Sequence, residues 1–240
     1  MKQIAVFQHV HWEPPGHSLL KAAAACRVSL NVIHVWEQKI PDLSGFNGLI
    51  LLGGSPNVDE ELRYPFLTDE KRAIRQWLES ERPCLGICLG HQLLAEALGG
   101  RIGSNLCPSI GFIQGHLTHD GRNHPVFNRI DPKPTLFKWH GKAIIPPFPG
   151  HFQILATSAQ CQIESFSIQD RPYLIGVQYD NHSAAPHEVA QWLETDSIWL
   201  DSISDPIIDR NAIIAQSKKL SATVHRDFLL FFRNFTAMMN

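Results

Sequence analysis

Hydrophobic and polar positions fall into two regimes along the chain. In the first, short apolar runs alternate with amphipathic stretches. Residues 3–8, Gln-Ile-Ala-Val-Phe-Gln, form a β-rich run, and a Pro-Pro-Gly break separates them from a helical stretch, Leu19 to Cys26. Val28 to Trp36 alternates as a second strand. Phe46 to Leu52 ends in four consecutive apolar residues, the pattern of a parallel strand covered on both faces. That run stops at Gly53-Gly54. Phe66 to Glu79 sets Ile74, Trp77 and Leu78 among charges, as an amphipathic helix does, and Thr68 is placed to cap its first turn.

The next run, Pro83 to Ile87, leads into Cys88, which has Gly86 and Gly90 two residues away on either side, and then into a helical pattern closed by Gly99-Gly100. This predicts a strand, a sharp elbow and a helix, with the cysteine at the tip, where flanking glycines let the chain turn without clashes. The unpaired N–H groups of the helix point at the sulfur, so the pattern predicts a nucleophilic cysteine with thiolate character.

From about Arg101 the second regime begins, with short strands and turns. Gly111 to Thr118, Thr135 to Trp139, Phe152 to Ala156, Ile163 to Ile168 and Tyr173 to Tyr179 are punctuated by Asp120-Gly121, Pro146-Pro147 and Pro149-Gly150. An amphipathic segment opens at Pro186, and Val224, Phe228, Phe231, Phe232 and Phe235 recur at helical spacing near the C-terminus as a core-facing stripe. Strands alternating with helices predict an α/β fold. Its sheet is open, doubly wound and mostly parallel, flanked by helices in the flavodoxin-like manner, with an added antiparallel strand layer. No linker divides the 240 residues, so residues 1–240 are expected to form a single domain.

Composition narrows the function classes. A formal charge of −2 provides no basic face, so neither nucleic acid nor membrane is an expected partner. There is no secretory leader pattern, and five cysteines at irregular spacing do not make a disulfide framework; the expected setting is cytoplasmic. His116, His119 and His124 lie close in sequence on a strand end and turn, where exposure is expected rather than metal binding. Cys26, Cys107 and Cys161 are read as packing residues.

A cysteine nucleophile needs oxyanion donors, a base and an orienter for the base. The N–H of Leu89 and an N–H of the Gly53-Gly54 turn are the candidate donors. Four blocks carry a family resemblance: Leu51-Leu52-Gly53-Gly54-Ser55-Pro56, Leu85-Gly86-Ile87-Cys88-Leu89-Gly90-His91-Gln92, Lys138-Trp139-His140-Gly141, and Gly176-Val177-Gln178-Tyr179. In order and spacing the chain resembles the class I (triad) glutamine amidotransferases, and among them stand-alone chains similar to the amidotransferase domain of GMP synthase. The resemblance implies hydrolysis of the glutamine γ-amide, or of a γ-glutamyl compound, through a Cys88 thioester that releases ammonia and glutamate. It implies Gly54 and Leu89 as oxyanion donors, Gly53 and Gln92 beside the substrate, no metal or organic cofactor, and a separate synthase as acceptor of the ammonia.

The chain departs from the family pattern after Tyr179. Where the family has His-Pro-Glu, this chain has Asp180-Asn181-His182. Two readings stay open. In one the pair is swapped, with His182 reaching Cys88 and Asp180 orienting it, since residues i and i+2 of an extended segment project to one side. In the other the base is missing and the chain is a catalytically impaired relative that binds a small molecule or a partner. His140 and His187 are further candidate bases.

Overall fold

The computed structural model describes residues 1–204 and 207–239. One nine-stranded sheet runs through them. Its strands are β1 (Lys2–Gln8), β2 (Val28–His34), β3 (Gly48–Leu51), β4 (Cys84–Ile87), β5 (Arg101–Leu117), β6 (Thr135–Ile145), β7 (Phe152–Ser158), β8 (Ser165–Ile168) and β9 (Arg171–Val177), in the order β2-β1-β3-β4-β9-β8-β7-β5-β6. The helices are α1 (His17–Cys26), α2 (Phe66–Glu79), α3 (Leu89–Ala97), α4 (His119–Asn123), α5 (Pro186–Thr195), α6 (Ser197–Ser202) and α7 (Arg210–Ala237).

Strands β2, β1, β3, β4 and β9 pair in parallel. β9, β8, β7, β5 and β6 pair antiparallel, so β9 belongs to both halves and joins them. The sequence pattern placed β9 in the antiparallel layer alone. Its run Leu174–Val177 is buried on both faces because helices cover the sheet where it meets β4.

Alternation along the strands sorts side chains onto two faces. Ile4, Val6, Ile50, Leu52, Leu85 and Ile87 meet Leu19 and Ala22 of α1 and the Phe228, Phe231, Phe232 and Phe235 stripe of α7. Ala5, Phe7, Leu49, Leu51 and Cys84 meet Leu67, Ile74 and Trp77 of α2 and Leu93 and Leu94 of α3. The aromatic stripe at the C-terminus is therefore core, as its spacing predicts. A third apolar cluster, Phe137, Trp139, Val189, Trp192, Leu193 and Val224, fastens β6 to α5 and α7.

Two local expectations change. Thr68 sits inside α2, whose N-cap is Pro65 with no side-chain cap bond. His124 is buried rather than exposed: its Nδ1 accepts from the Val126 N–H at 3.2 Å and its Nε2 meets Ser167 Oγ at 3.2 Å, fastening α4 to the sheet. No helix among the described residues is long and apolar enough to cross a membrane.

Candidate active site

The carboxyl ends of β1, β3, β4 and β9 meet around Cys88. Between β4 and α3 the cysteine adopts φ 50° and ψ −106°, a conformation L-residues rarely hold. The surroundings fix it there. Cys88 N–H donates to Val177 O at 2.9 Å, and Gly90 N–H donates to Leu52 O at 3.0 Å. The two glycines are required by close backbone approach: a Cβ on Gly86 would lie 2.3 Å from Gly90 O, and one on Gly90 would lie 2.2 Å from Leu51 O. The strand, elbow and helix read from the sequence are thus formed in full.

Both oxyanion candidates border one cavity. The Leu89 N–H points at the Cys88 sulfur, and Gly54 lines the same cavity. The Gly53-Gly54 turn is held from beneath by His9, whose Nδ1–H donates to Gly53 O at 2.9 Å while Nε2 meets Glu70 Oε1 at 2.8 Å. Both side chains are fully buried; burial lowers the imidazole pKa, but Glu70 and the Gly53 carbonyl more than offset it, so the His9 pKa stands above its ordinary value. Gln92 lines the cavity and donates to Lys142 O at 3.1 Å and Gln178 Oε1 at 3.2 Å. Gly53 packs behind, where a Cβ would come within 3.5 Å of Cys88 Cβ.

The two residues after β9 part company. Asp180 faces Cys88 across the cavity. His182 does not reach it: its ring lies 6.4 Å from that of Phe228, its Nδ1 is buried without a partner, and burial lowers its pKa to about 3. The reason is local. Asn181–Ser183 form a 3-10 turn instead of an extended segment, so residues 180 and 182 project to different sides. Asn181 pins the turn, its Oδ1 accepting from Phe137 N–H at 2.7 Å and its Nδ2 donating to Thr135 O at 2.9 Å. The swapped Cys88–His182–Asp180 arrangement is not assembled.

Neither of the other candidate histidines replaces it. His140 reaches the cavity wall, but its Nδ1–H donates to Lys142 O at 2.8 Å, and burial beside Lys138 holds its pKa well below the ordinary value. His187 packs against His17 at the far side of α1, with ring centroids 6.1 Å apart. The groups whose charge acts on Cys88 are Asp180, Glu13 and Lys138. Burial pushes the thiol well above its usual range and the two carboxyls push it further; the Leu89 N–H and Lys138 offset only part. The thiolate expected from the helix N-terminus is therefore reversed to a neutral thiol.

The cavity holds about 430 Å³. Besides the residues read from sequence, its wall includes Glu13 from the loop after β1, Asp196 after α5, and the indoles of Trp139, Trp192 and Trp199. Glu13 is raised to about 7 by burial and by Asp196. The family model for class-I glutamine amidotransferases matches residues 16–182. This chain belongs to the class-I glutamine amidotransferase family.

Among curated members, the chain is 31% identical over 132 residues to a glutamine-hydrolyzing GMP synthase subunit of Thermoplasma acidophilum, a match covering 55% of this chain and 61% of that one. It is 28% identical over 171 residues to the corresponding GMP synthase subunit of Methanothermobacter thermautotrophicus, covering 67% and 84%. A solved glutamine amidotransferase from Methylobacillus flagellatus superposes with a TM-score of 0.87 at 21% identity over 100% of this chain and 96% of that one, which shows a shared fold. Within the family fold, His9, Glu13 and Asp196 escaped the sequence reading. A signal for the first two was present: both follow β1, beyond the carboxyl end of a parallel strand, where open α/β sheets place ligands.

Proposed function

We propose that the Cys88 elbow recognises the γ-amide of glutamine or of a γ-glutamyl compound, and that hydrolysis through a Cys88 thioester runs far below the rate of a site with a histidine facing the thiol. One observation carries this reading: Asp180, not a histidine, faces the Cys88 sulfur. Attack on the amide carbon requires the thiol proton to leave the sulfur, and expulsion of ammonia requires a proton on nitrogen. Asp180 stands where both transfers would occur. Burial and Glu13 hold its carboxyl well above the usual range, and burial raises the thiol as well, so forming the thiolate there is uphill. The N–H groups of Leu89 and Gly54 would take the negative charge of the tetrahedral intermediate. Ammonia from such a site would serve a separate synthase, since two relatives are named as subunits of GMP synthase.

The test compares glutamate release from glutamine and from γ-glutamyl peptides between the wild type and Cys88→Ala. Slow, Cys88-dependent release is expected. Turnover near the roughly 10 s⁻¹ typical of enzymes would overturn the impaired-site reading, and release that survives Cys88→Ala would remove the thioester.

A further inference from the structure

The cavity carries more acid than the proton transfers at Cys88 call for. Asp180 is 1% exposed and lines the cavity; apart from the Cys88 thiol, neither carboxyl oxygen has a hydrogen-bond partner among the described residues. Glu13 and Asp196 line the same wall. The cations that act on Glu13 and Asp180 are His9, already paired with Glu70, and Lys138, already paired with Glu164. Lys142 also lines the cavity, one lysine against three acids.

Three indoles complete the wall. Trp139 lies 5.7 Å from Trp192 and 6.4 Å from Trp199, with ring planes inclined at 65° and 61°, so the three indoles that line the cavity meet edge to face rather than as a stack. Trp139 Nε1–H donates to Asp196 Oδ2 at 2.7 Å, fastening one wall to one of the acids. Indole faces attract cations, and a cation stabilises the charged form of a buried carboxyl such as that of Asp180.

We infer that this cavity is a receptor for an organic ammonium ion, held by Asp180 and Glu13 and walled by Trp139, Trp192 and Trp199. A primary ammonium fits best, because its three N–H donors match the open acceptor positions on Asp180 and the remaining ones on Glu13, whose Oε1 already accepts from Ser55 Oγ at 3.3 Å. The cation sits at the Cys88 end of the cavity, where an amide substrate would present its reacting group, so ammonium and amide compete. This inference rests on the family pocket but not on turnover.

The titratable groups around the bound cation are Asp180, Glu13, Asp196, Cys88 and, on β6, His140 and Lys142; His9 and Lys138 are paired with Glu70 and Glu164. All three acids are raised, so a cation that draws out their negative charge releases a proton on binding. The probe is n-butylammonium, with butan-1-ol as its neutral isostere and butyrate as the anion, titrated by calorimetry and tryptophan fluorescence.

Butylammonium is expected to bind at least tenfold tighter than butanol, with net proton release measured in two buffers of different ionisation enthalpy. Asp180→Asn should lose tenfold or more while unfolding at a temperature close to that of the wild type. Glu13→Gln, at the rim, provides a second variant should Asp180→Asn fail to fold. Equal affinity for amine and alcohol, or no loss in the folded variants, overturns the inference. Glutamate release is scored separately: hydrolysis without ammonium preference removes the inference alone, and ammonium binding without hydrolysis removes the proposed turnover alone.

Discussion

Asp180→His is the perturbation that separates a missing base from a failed elbow. Among the described residues the Asp180 oxygens have no hydrogen-bond partner besides the Cys88 thiol, and they face a cavity of about 430 Å³, so an imidazole has room to reach the sulfur without breaking another hydrogen bond. Burial lowers the pKa of His182, two residues away, to about 3, so a histidine introduced at 180 would also stand neutral, the form that accepts a proton. A positioned general base contributes about 10²–10⁴ in rate, or roughly 3–5 kcal/mol off the barrier. The variant still has no carboxylate to orient the new ring, because position 182 is a histidine turned toward Phe228. A gain of about tenfold to a hundredfold is therefore expected from Asp180→His, at or below the lower limit of that range. The assay is coupled glutamate release from glutamine, with Cys88→Ala in the Asp180→His background as the zero. A folded variant whose Cys88-dependent rate stays within about twofold of wild type would refute the argument, since the missing histidine would not then limit the chemistry.

Other outcomes follow from the parts that support the site. Gly90→Ala brings a Cβ within 2.2 Å of Leu51 O, and the helix cannot move without breaking the Gly90-to-Leu52 bond. A loss of about 1–3 kcal/mol is expected, read as a lower midpoint in urea. His9→Gln leaves Glu70 buried without its cation and should cost about 3–5 kcal/mol by the same measurement. The His9 pKa is raised in the folded state, so its contribution is complete below the unfolded value of 6.5 and is lost as pH rises through the folded one. Wild-type stability should therefore fall over that window, and the fall should be smaller in His9→Gln.

The elbow was legible because its determinants are local. Glycines at 86 and 90 are dictated by contacts within the turn and with the adjacent strand, and a spacing pattern records them. The two faces of the sheet were legible for the same reason, since Ile4 and Val6 alternate with Ala5 and Phe7. What followed Tyr179 was not. Whether Asp180 and His182 share a side depends on a 3-10 turn held by Asn181 against β6, more than forty residues earlier in the chain, and no local pattern reports that contact. The sign of the Cys88 shift was hidden likewise. The helix N-terminus argues for thiolate, but the acids opposing it come from the β1 loop and the end of β9. The ring of tryptophans needed β6, α5 and α6 to be brought together before it became a wall.

The central claim is that this elbow presents a neutral thiol to its substrate because the sulfur is buried and faces an acid where a base would stand. It is tested most directly by titrating Cys88 itself, as thiolate absorbance or as the pH dependence of iodoacetamide labelling, in the wild type minus Cys88→Ala. The difference is predicted to show an inflection above the ordinary thiol value of 9.0, with Cys88 protonated at neutral pH. An inflection below about 7, the range of thiols activated by histidine or by a helix N-terminus, would contradict it.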